Sequence, residues 1–314
     1  MINFRYHVVS LTAVFLALAI GLVVGTAALN GPAADNLNDS VNALRKQNEE
    51  LRDRVNHLTS DANRQEDFAK EAAPIMLANK LVGRRVLVVA ISAGDKYVQP
   101  VLEMLQAAGA KVTGRVQIQD KFTDPGNNEQ LLDLAHSARP PSVSELPSNS
   151  NGVETSSALL AAVLLDRSPS VPADTTRSVL KAYTFGSYLI QTGEVTGPAE
   201  SVVVLVGAPY ADREAAKKNA AVVTIVEQID KLCPMVVGID GVGGDGNAVG
   251  ALRGDPALSK TVSTVDNVST PQGRVVIGLA LAEQLDSHTG HYGIGAGATA
   301  LMPKLAADRS RSGS

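Results

Sequence analysis

The chain has 314 residues and a formal net charge of −4, so it lacks the strong positive charge with which nucleic-acid-binding proteins attract phosphate. Its single cysteine, Cys233, excludes an intramolecular disulfide bond and a thiolate cluster for zinc or iron–sulfur within one chain. Tryptophan is absent and aromatic residues make up 4% of the chain, which disfavours an outer-membrane barrel with aromatic girdles.

The first 32 residues predict a transmembrane anchor. Residues 8–29 contain no charged side chain, and about 20 apolar residues are enough to cross a hydrocarbon core about 30 Å thick. A cleavable signal peptide is the alternative, because small residues follow this apolar stretch. The stretch is longer than the roughly 7–15 apolar residues of a signal peptide, and Arg5 alone supplies basic charge before it. The sequence therefore favours an uncleaved helix.

Charges on the two sides of the anchor predict its orientation. Arg5 precedes it, whereas Asp35 and Asp39 follow it, so the positive-inside rule places the N-terminus in the cytoplasm and the rest of the chain outside. Gly21 and Gly25 are spaced so that two such helices can approach closely, although the same spacing also arises by chance. We predict this glycine pair as a site of helix packing in the membrane.

Residues 33–73 have the apolar pattern of a coiled-coil stalk. Apolar residues recur with alternating spacings of three and four, and one polar residue shares their stripe: Leu37, Val41, Leu44, Asn48, Leu51, Val55 and Leu58. Leucine at d positions and valine at a positions favour two parallel helices, and asparagine at an a position fixes their register. We therefore predict a parallel dimer, with the helix ending at Pro74. A single amphipathic helix lying on the globular domain is the alternative.

Residues 81–303 predict an α/β domain with a Rossmann-like parallel sheet. Continuous apolar runs, which are typical of strands buried on both faces, occupy residues 85–92, 201–207 and 235–240. Shorter strands are predicted at 111–118 and 261–265. Helices are predicted at 98–108, 129–138, 156–166, 175–190, 213–232 and 272–285. Residues 139–152 predict a surface loop, and the tail 304–314 predicts disorder.

A glycine-rich segment after the strand at 235–240 matches the dinucleotide-binding pattern Gly-x-Gly-x-x-Gly. It runs from Gly241 to Gly246, and Asp266 lies twenty residues further on, where such proteins place an acid for the ribose. A pyrophosphate would lie beside Asp245, and glycines and a proline interrupt the following helix. We therefore interpret the segment as a tight turn, with nucleotide binding as the alternative. The glycine-rich segment 293–298 is also interpreted as a packed turn.

Two histidines near the C-terminus, His288 and His291, are the ligand pair that the sequence offers for a metal. Two imidazoles with a carboxylate, here Asp286, can hold copper or zinc. A surface loop with two solvated histidines is the alternative. The five methionines are scattered, not clustered as Cu(I) favours. The sequence shows no nucleophile elbow, zinc-protease motif or Walker loop, so we expect no enzymatic activity and no cofactor.

Several segments carry a resemblance to a known family. They are the start Met1-Ile-Asn-Phe-Arg-Tyr-His-Val, the apolar span, the heptad segment with Asn48-Glu-Glu-Leu51, and the later segments 250–253, 263–267 and 273–275. Together they resemble the mycobacterial copper transport protein B (MctB) family over nearly the whole chain. The resemblance implies copper resistance through a pore-forming protein that moves copper out across the mycobacterial outer membrane. A related protein of other actinobacteria, SteB, implies instead a role in cell separation and control of septal peptidoglycan hydrolysis.

Copper efflux at the cell envelope, which keeps intracellular copper low, is therefore the expected function, with any pore built by an oligomer. The alternative is a coiled-coil scaffold that presents the α/β domain to cell-wall or division proteins and moves no ions. The resemblance implies the outer membrane, whereas residues 8–29 predict an inner-membrane anchor with the C-terminal domain outside. The family offers no established copper-ligand motif, so no residue of this chain inherits a copper role.

Overall fold

The computed structural model describes residues 4–29, 32–244 and 246–304. Contacts divide the chain after Arg64 into two units, Met1–Arg64 and Gln65–Ser314. Asp245 and nearly all of the tail predicted to be disordered lie outside the described residues.

The first unit begins with a long apolar helix, α1 (Phe4–Leu29). Within it, Phe4–Ala27 is 24 residues long and apolar enough to cross a membrane, with a mean hydropathy of 2.6. Its large apolar side chains are exposed, which suits a helix that contacts lipid. Gly21 and Gly25 have open space where a β-carbon would lie, so a second helix can approach there. The predicted apolar N-terminal helix is confirmed.

We expect the mature protein to keep α1, because this helix is longer than the apolar core of a signal peptide. The intact mass of protein purified from envelope fractions then includes residues 1–29. A mass that begins after Ala28 or Ala34 would contradict this prediction and would free the chain to reach another membrane.

The second helix, α2 (Pro32–Leu77), contains the predicted stalk and extends beyond it. The prediction that it ends at Pro74 is wrong, because Pro74 lies inside the helix, one turn before its end. A proline in a helix interior removes one hydrogen bond and costs about 3 kcal/mol. Burial of Ala73 and Leu77, which are 1% and 0% exposed in the core of the second unit, offsets this cost.

The second unit is built around one seven-stranded sheet. Its strands are β1 (Arg85–Ile91), β2 (Lys111–Ile118), β3 (Leu189–Gln191), β4 (Ser201–Val206), β5 (Met235–Ile239), β6 (Ser263–Val265) and β7 (His291–Tyr292). Their order across the sheet is β3-β2-β1-β4-β5-β6-β7. β3 runs antiparallel to β2, and every other neighbouring pair is parallel. The predicted α/β class with a parallel-rich sheet is confirmed.

Helices cover both faces of this sheet. They are α3 (Val98–Ala107), α4 (Asp120–Thr123), α5 (Asn128–Ala138), α6 (Gly152–Leu164), α7 (Ala173–Phe185), α8 (Ala215–Asp230), α9 (Ala248–Gly254), α10 (Leu258–Thr261) and α11 (Pro271–Leu285). The last turns of α2 pack with α3 and α11 on one face, and α5 to α8 pack on the other. β4 is buried along its whole length for this reason, which explains its continuous apolar sequence.

Several predicted elements have different bounds in the structure. The helix predicted at 156–166 is α6, which begins at Gly152 after the capping residue Asn151 and ends at Leu164. The helix predicted at 175–190 ends at Phe185, because Gly186 caps it and Ser187, with φ 59°, turns the chain into β3. The strand predicted at 261–265 begins at Ser263, since Thr261 still belongs to α10. Residues 139–151 contain neither helix nor strand, as predicted.

The end of α2 is part of the core of the second unit. Leu77 packs against Gly278 of α11, where a β-carbon would lie 2.9 Å from Leu77 Cδ2. Glu66 forms an ion pair with Arg274, whose side chain is 9% exposed. The last turns of α2 are therefore held to α11 by both packing and charge.

Candidate functional site

The carboxyl ends of β5, β6 and β7 lie at one edge of the sheet, where a buried carboxylate joins the loops that follow them. Asp266 comes directly after β6 and is 1% exposed. Its Oδ1 accepts the amide hydrogen of Gly243 with an N–O distance of 3.0 Å, and its Oδ2 accepts that of Gly295 at 2.7 Å. Both amides belong to the glycine-rich segments that the sequence distinguishes.

Arg253 of α9 neutralises this carboxylate. Its Nη2 lies 3.1 Å from Asp266 Oδ1, and the two side chains are 3% and 0% exposed. The guanidinium also donates to Thr264 Oγ1 at 2.9 Å and to the carbonyl oxygens of Tyr292 and Ala296 at 3.0 and 3.1 Å. The ion pair therefore holds the loops after three neighbouring strands together at one point.

Glycine allows these loops to approach each other. A β-carbon on Gly243 would lie 2.6 Å from Asp266 Oδ1, and one on Gly295 would collide with the backbone of Gly243. Gly241 has a φ of 77°, a conformation that glycine adopts readily. The Gly243 amide is bonded to Asp266, so it does not point into an open phosphate cradle. The geometry supports the tight-turn interpretation over nucleotide binding.

The two candidate metal ligands occupy different environments. His288 is exposed, whereas His291 is half-buried in β7. His291 Nδ1 lies 2.8 Å from Thr264 Oγ1, and its Nε2 lies 3.0 Å from the carbonyl oxygen of Ser259. Since the carbonyl accepts only, Nε2 carries the hydrogen and Nδ1 accepts from Thr264. Both ring nitrogens of His291 are therefore engaged within the fold.

A wider metal centre is not visible near these histidines. Within residues 4–29, 32–244 and 246–304, no three His, Cys, Asp or Glu side chains lie together as metal ligands would. The pair His288 and His291 stays a prediction, and copper binding there would have to displace the hydrogen bond from Thr264 to His291.

Burial lowers the pKa of His291 below its ordinary value, and the positive charge of Arg253 adds to this effect. As the pH falls, His291 of the unfolded chain takes up a proton at about pH 6.5, whereas His291 of the folded chain takes it up only at a lower pH. The free energy of unfolding should therefore fall as the pH drops below about 6.5. A His291→Gln variant, which can keep both hydrogen bonds without titrating, should lose this part of the pH dependence in urea unfolding curves. An exposed control, His288→Gln, should follow the wild type; a wild-type profile in His291→Gln would contradict the prediction.

Cys233 has the environment of a core residue. It is 7% exposed, and burial together with the charge of Asp230 raises the pKa of its thiol to about 12. A soft metal binds the thiolate, so binding at Cys233 would require access to the core and removal of a tightly held proton.

A polar cluster that the sequence does not reveal lies where the sheet order reverses, between β1 and β4. Ser92 follows β1 with a φ of 54° and lies near the hydroxyl group of Tyr210. Tyr210 Oη donates to Asp120 Oδ1 at 2.8 Å and accepts from Thr123 at 3.0 Å. Burial raises the pKa of Tyr210 to about 12, so this phenol keeps its proton and is a poor base. The residues of this polar cluster are far apart in sequence and match no spacing pattern, so the sequence does not predict the cluster.

The predicted oligomerisation residues of α2 are all accessible in the single chain. Leu37, Leu44 and Leu58 are 66%, 64% and 68% exposed, and Val41 is 36% exposed. Leu51 and Val55 are exposed as well, and Asn48 lies on the same stripe. The stripe is therefore free for a partner helix, while the dimer itself stays a prediction.

Fold and site together define a mixed α/β protein with a parallel-rich sheet, preceded by one apolar helix that is long enough to cross a membrane. The chain belongs to the family described as copper transport outer membrane protein, MctB, whose model matches residues 1–303. The resemblance noted in the sequence is thereby confirmed.

Relatives from mycobacteria align along almost the whole chain. Copper transporter MctB of Mycobacterium leprae (strain TN) is 31% identical over 322 residues, which cover 96% of this chain and 99% of the relative. Copper transporter MctB of Mycobacterium tuberculosis (strain ATCC 25618 / H37Rv) is 28% identical over 316 residues, with the same coverage of 96% and 99%. This chain is therefore similar to these proteins from its N-terminal helix through its α/β domain.

Proposed function

We propose that this chain functions in copper transport at the cell envelope, as a pore-forming protein that moves copper out across the outer membrane and keeps intracellular copper low. Membership of the MctB family over residues 1–303 supports the link to copper transport. The relatives that carry the name copper transporter MctB support it further, since they align over 96% of the chain.

One observation determines how such a pore would be built. Among residues 4–29, 32–244 and 246–304, α1 is the one helix long and apolar enough to cross a membrane. A single helix encloses no lumen, and every backbone polar group at membrane depth must be bonded within the protein. The proposed conduit therefore needs several copies of the chain, which the exposed apolar stripe of α2 can bring together.

A scaffold role is the second candidate, and the α/β domain itself favours it. The ion pair between Arg253 and Asp266 closes the glycine-rich edge of the sheet. This edge is therefore better suited to contact another protein than to enclose a small ligand. In this role a stalk-borne domain would regulate cell separation and septal peptidoglycan hydrolysis through cell-wall or division proteins, and it would move no ions.

We also propose that the chain is not an enzyme and uses no cofactor. The polar cluster at the sheet reversal has a serine in a strained turn, but its neighbour Tyr210 keeps its proton near neutral pH. Tyr210 therefore does not provide Ser92 with the activating base that a nucleophile needs.

Two measurements on the full chain separate the transport and scaffold roles. Purified protein is added to planar bilayers for conductance, and a deletion strain complemented with each variant is grown on increasing copper. The transport proposal expects reproducible conductance and restored copper tolerance. Silent bilayers together with unchanged copper tolerance of the deletion strain would overturn it and favour the scaffold.

Substitutions at the candidate ligands refine this test. Cys233→Ser should leave copper tolerance near that of the wild type, because the buried thiol is protonated. The double variant His288→Ala/His291→Gln removes both imidazoles while a glutamine keeps the contacts of His291 with Thr264 and Ser259. Tolerance lost in this variant, with conductance intact, would indicate that the histidines bind copper.

A further inference from the structure

The last turns of α2 present an apolar surface to solvent that the heptad pattern does not include. Phe68 is 70% exposed and Ile75 is 81% exposed. They are seven residues apart and so lie on nearly the same side of a helix with 3.6 residues per turn. Ala72 lies between them and is partly exposed. We call Phe68, Ala72 and Ile75 the distal patch.

The distal patch does not serve the core of its own chain. The core instead receives Ala69, Ala73 and Leu77, which are 5%, 1% and 0% exposed. These three positions point roughly 100–180° away from Phe68 around the helix. Contacts with α11, including the ion pair between Glu66 and Arg274, therefore cover one side of α2 and leave the distal patch open.

Spacing along the sequence connects the distal patch with the predicted seam. From Leu58 the stripe continues through Ala62, the polar residue Gln65, and then Phe68, Ala72 and Ile75, with spacings of four, three, three, four and three. Two successive spacings of three are a stammer, which locally overwinds a coiled coil and so shifts the position of the seam around each helix. Such a shift is needed here because α11 occupies the side that Ala69 would otherwise turn to a partner.

We propose that a second copy of the chain covers the distal patch, in a parallel and in-register pair of α2 helices that extends from Leu37 to Ile75. This inference rests on the assembly from several copies in the proposed function, and it names the partner and its contacts. Phe68, Ala72 and Ile75 pack against the same residues of the other copy.

Asn48 favours a second copy over a foreign apolar helix. At an a position its amide is buried by the partner, and it bonds well when another asparagine faces it. Two parallel copies in register place Asn48 opposite Asn48. An antiparallel pair would place it opposite apolar residues and leave its polar atoms unbonded.

The charged side chains at the e positions also favour the parallel orientation. Arg45 and Arg52 occupy e positions and form no ion pair among the described residues of α2. In a parallel pair each of them faces a neutral g residue of the other copy, Ser40 or Gln47. In an antiparallel pair the e positions face each other, so these arginines would repel.

Disulfide cross-linking of the full chain in native membranes tests the pairing. Cys233→Ser removes the one native cysteine, and single cysteines are then placed as Phe68→Cys, Ile75→Cys and Lys70→Cys. Lys70 is exposed but lies on the opposite side of α2 from the distal patch. After oxidation with diamide, the first two variants should form covalent dimers and Lys70→Cys should not. Equal cross-linking of all three variants, or none at positions 68 and 75, would overturn the proposal.

Dimer affinity in detergent gives a second test. Phe68→Ser/Ile75→Ser should weaken sedimenting dimers about tenfold or more, the effect of losing two apolar side chains from an interface. Val82→Ser is the matched control, since Val82 is 62% exposed but lies outside α2. An unchanged affinity in the double variant would exclude the distal patch from the interface.

These results are independent of ion flux. Cross-links at positions 68 and 75, together with bilayers that show no conductance, would support the pairing of α2 and contradict the pore. Conductance and copper tolerance without these cross-links would keep the pore and reject the pairing.

Discussion

Replacement of Arg253 by methionine should destabilise the α/β domain by about 3–5 kcal/mol, the usual effect of breaking a buried ion pair. The methionine fills similar space, so the main loss is the charge that neutralises Asp266, which is 1% exposed. Two backbone amides would still bond this carboxylate, but three loops would lose their common anchor. Urea unfolding of the full chain, followed by circular dichroism, measures the effect.

Two control variants make this prediction specific. Lys231→Met removes an ion pair with Glu227 whose side chains are 52% and 46% exposed, so it should change stability by less than about 1 kcal/mol. Arg253→Met/Asp266→Asn removes both buried charges and should be less unstable than the sum of the single variants. Additive losses, or an effect of Arg253→Met as small as that of Lys231→Met, would show that the ion pair does not hold the loops.

The sequence predicts the elements that have a strong local pattern. β1, β4 and β5 are continuous apolar runs, and buried parallel strands require such sequences. β3 and β7 have three and two residues, too few for a pattern, and their pairing depends on neighbours distant in sequence. The helix end at Pro74 is mispredicted for a related reason, since the burial of Leu77 that maintains the last turn is a tertiary effect.

The candidate site is predicted only in part. The distance of Asp266 from the glycine-rich turn identifies it in the sequence, but as the acid that would bind a ribose. In the structure its carboxylate instead accepts a hydrogen bond from the turn itself. Its partner Arg253 lies in a short helix, and no spacing relates the two residues. Glycine signals a close backbone approach at Gly243 and Gly295, yet the sequence does not say which groups approach. Pairings of this kind depend on how three loops fold together.

A proline in the middle of α2 should have the largest effect on function. Leu51→Pro removes a helical hydrogen bond, kinks the helix at a cost of about 3 kcal/mol or more, and removes one seam leucine. Under the transport proposal the copies then fail to assemble, so bilayer conductance should disappear and copper tolerance should fall to that of the deletion strain. Sedimentation in detergent should show monomers.

Matched variants distinguish loss of pairing from loss of the chain. Leu51→Ala keeps the helix and should weaken the dimer without abolishing it, because alanine has a high helix propensity but little apolar surface. Asp53→Ala changes an exposed residue outside the seam and should behave like the wild type. A Leu51→Pro protein that is monomeric but still conducts would contradict the role of α2 in the pore. A Leu51→Pro protein that remains dimeric would indicate that the copies associate through another part of the chain, such as Gly21 and Gly25 of α1.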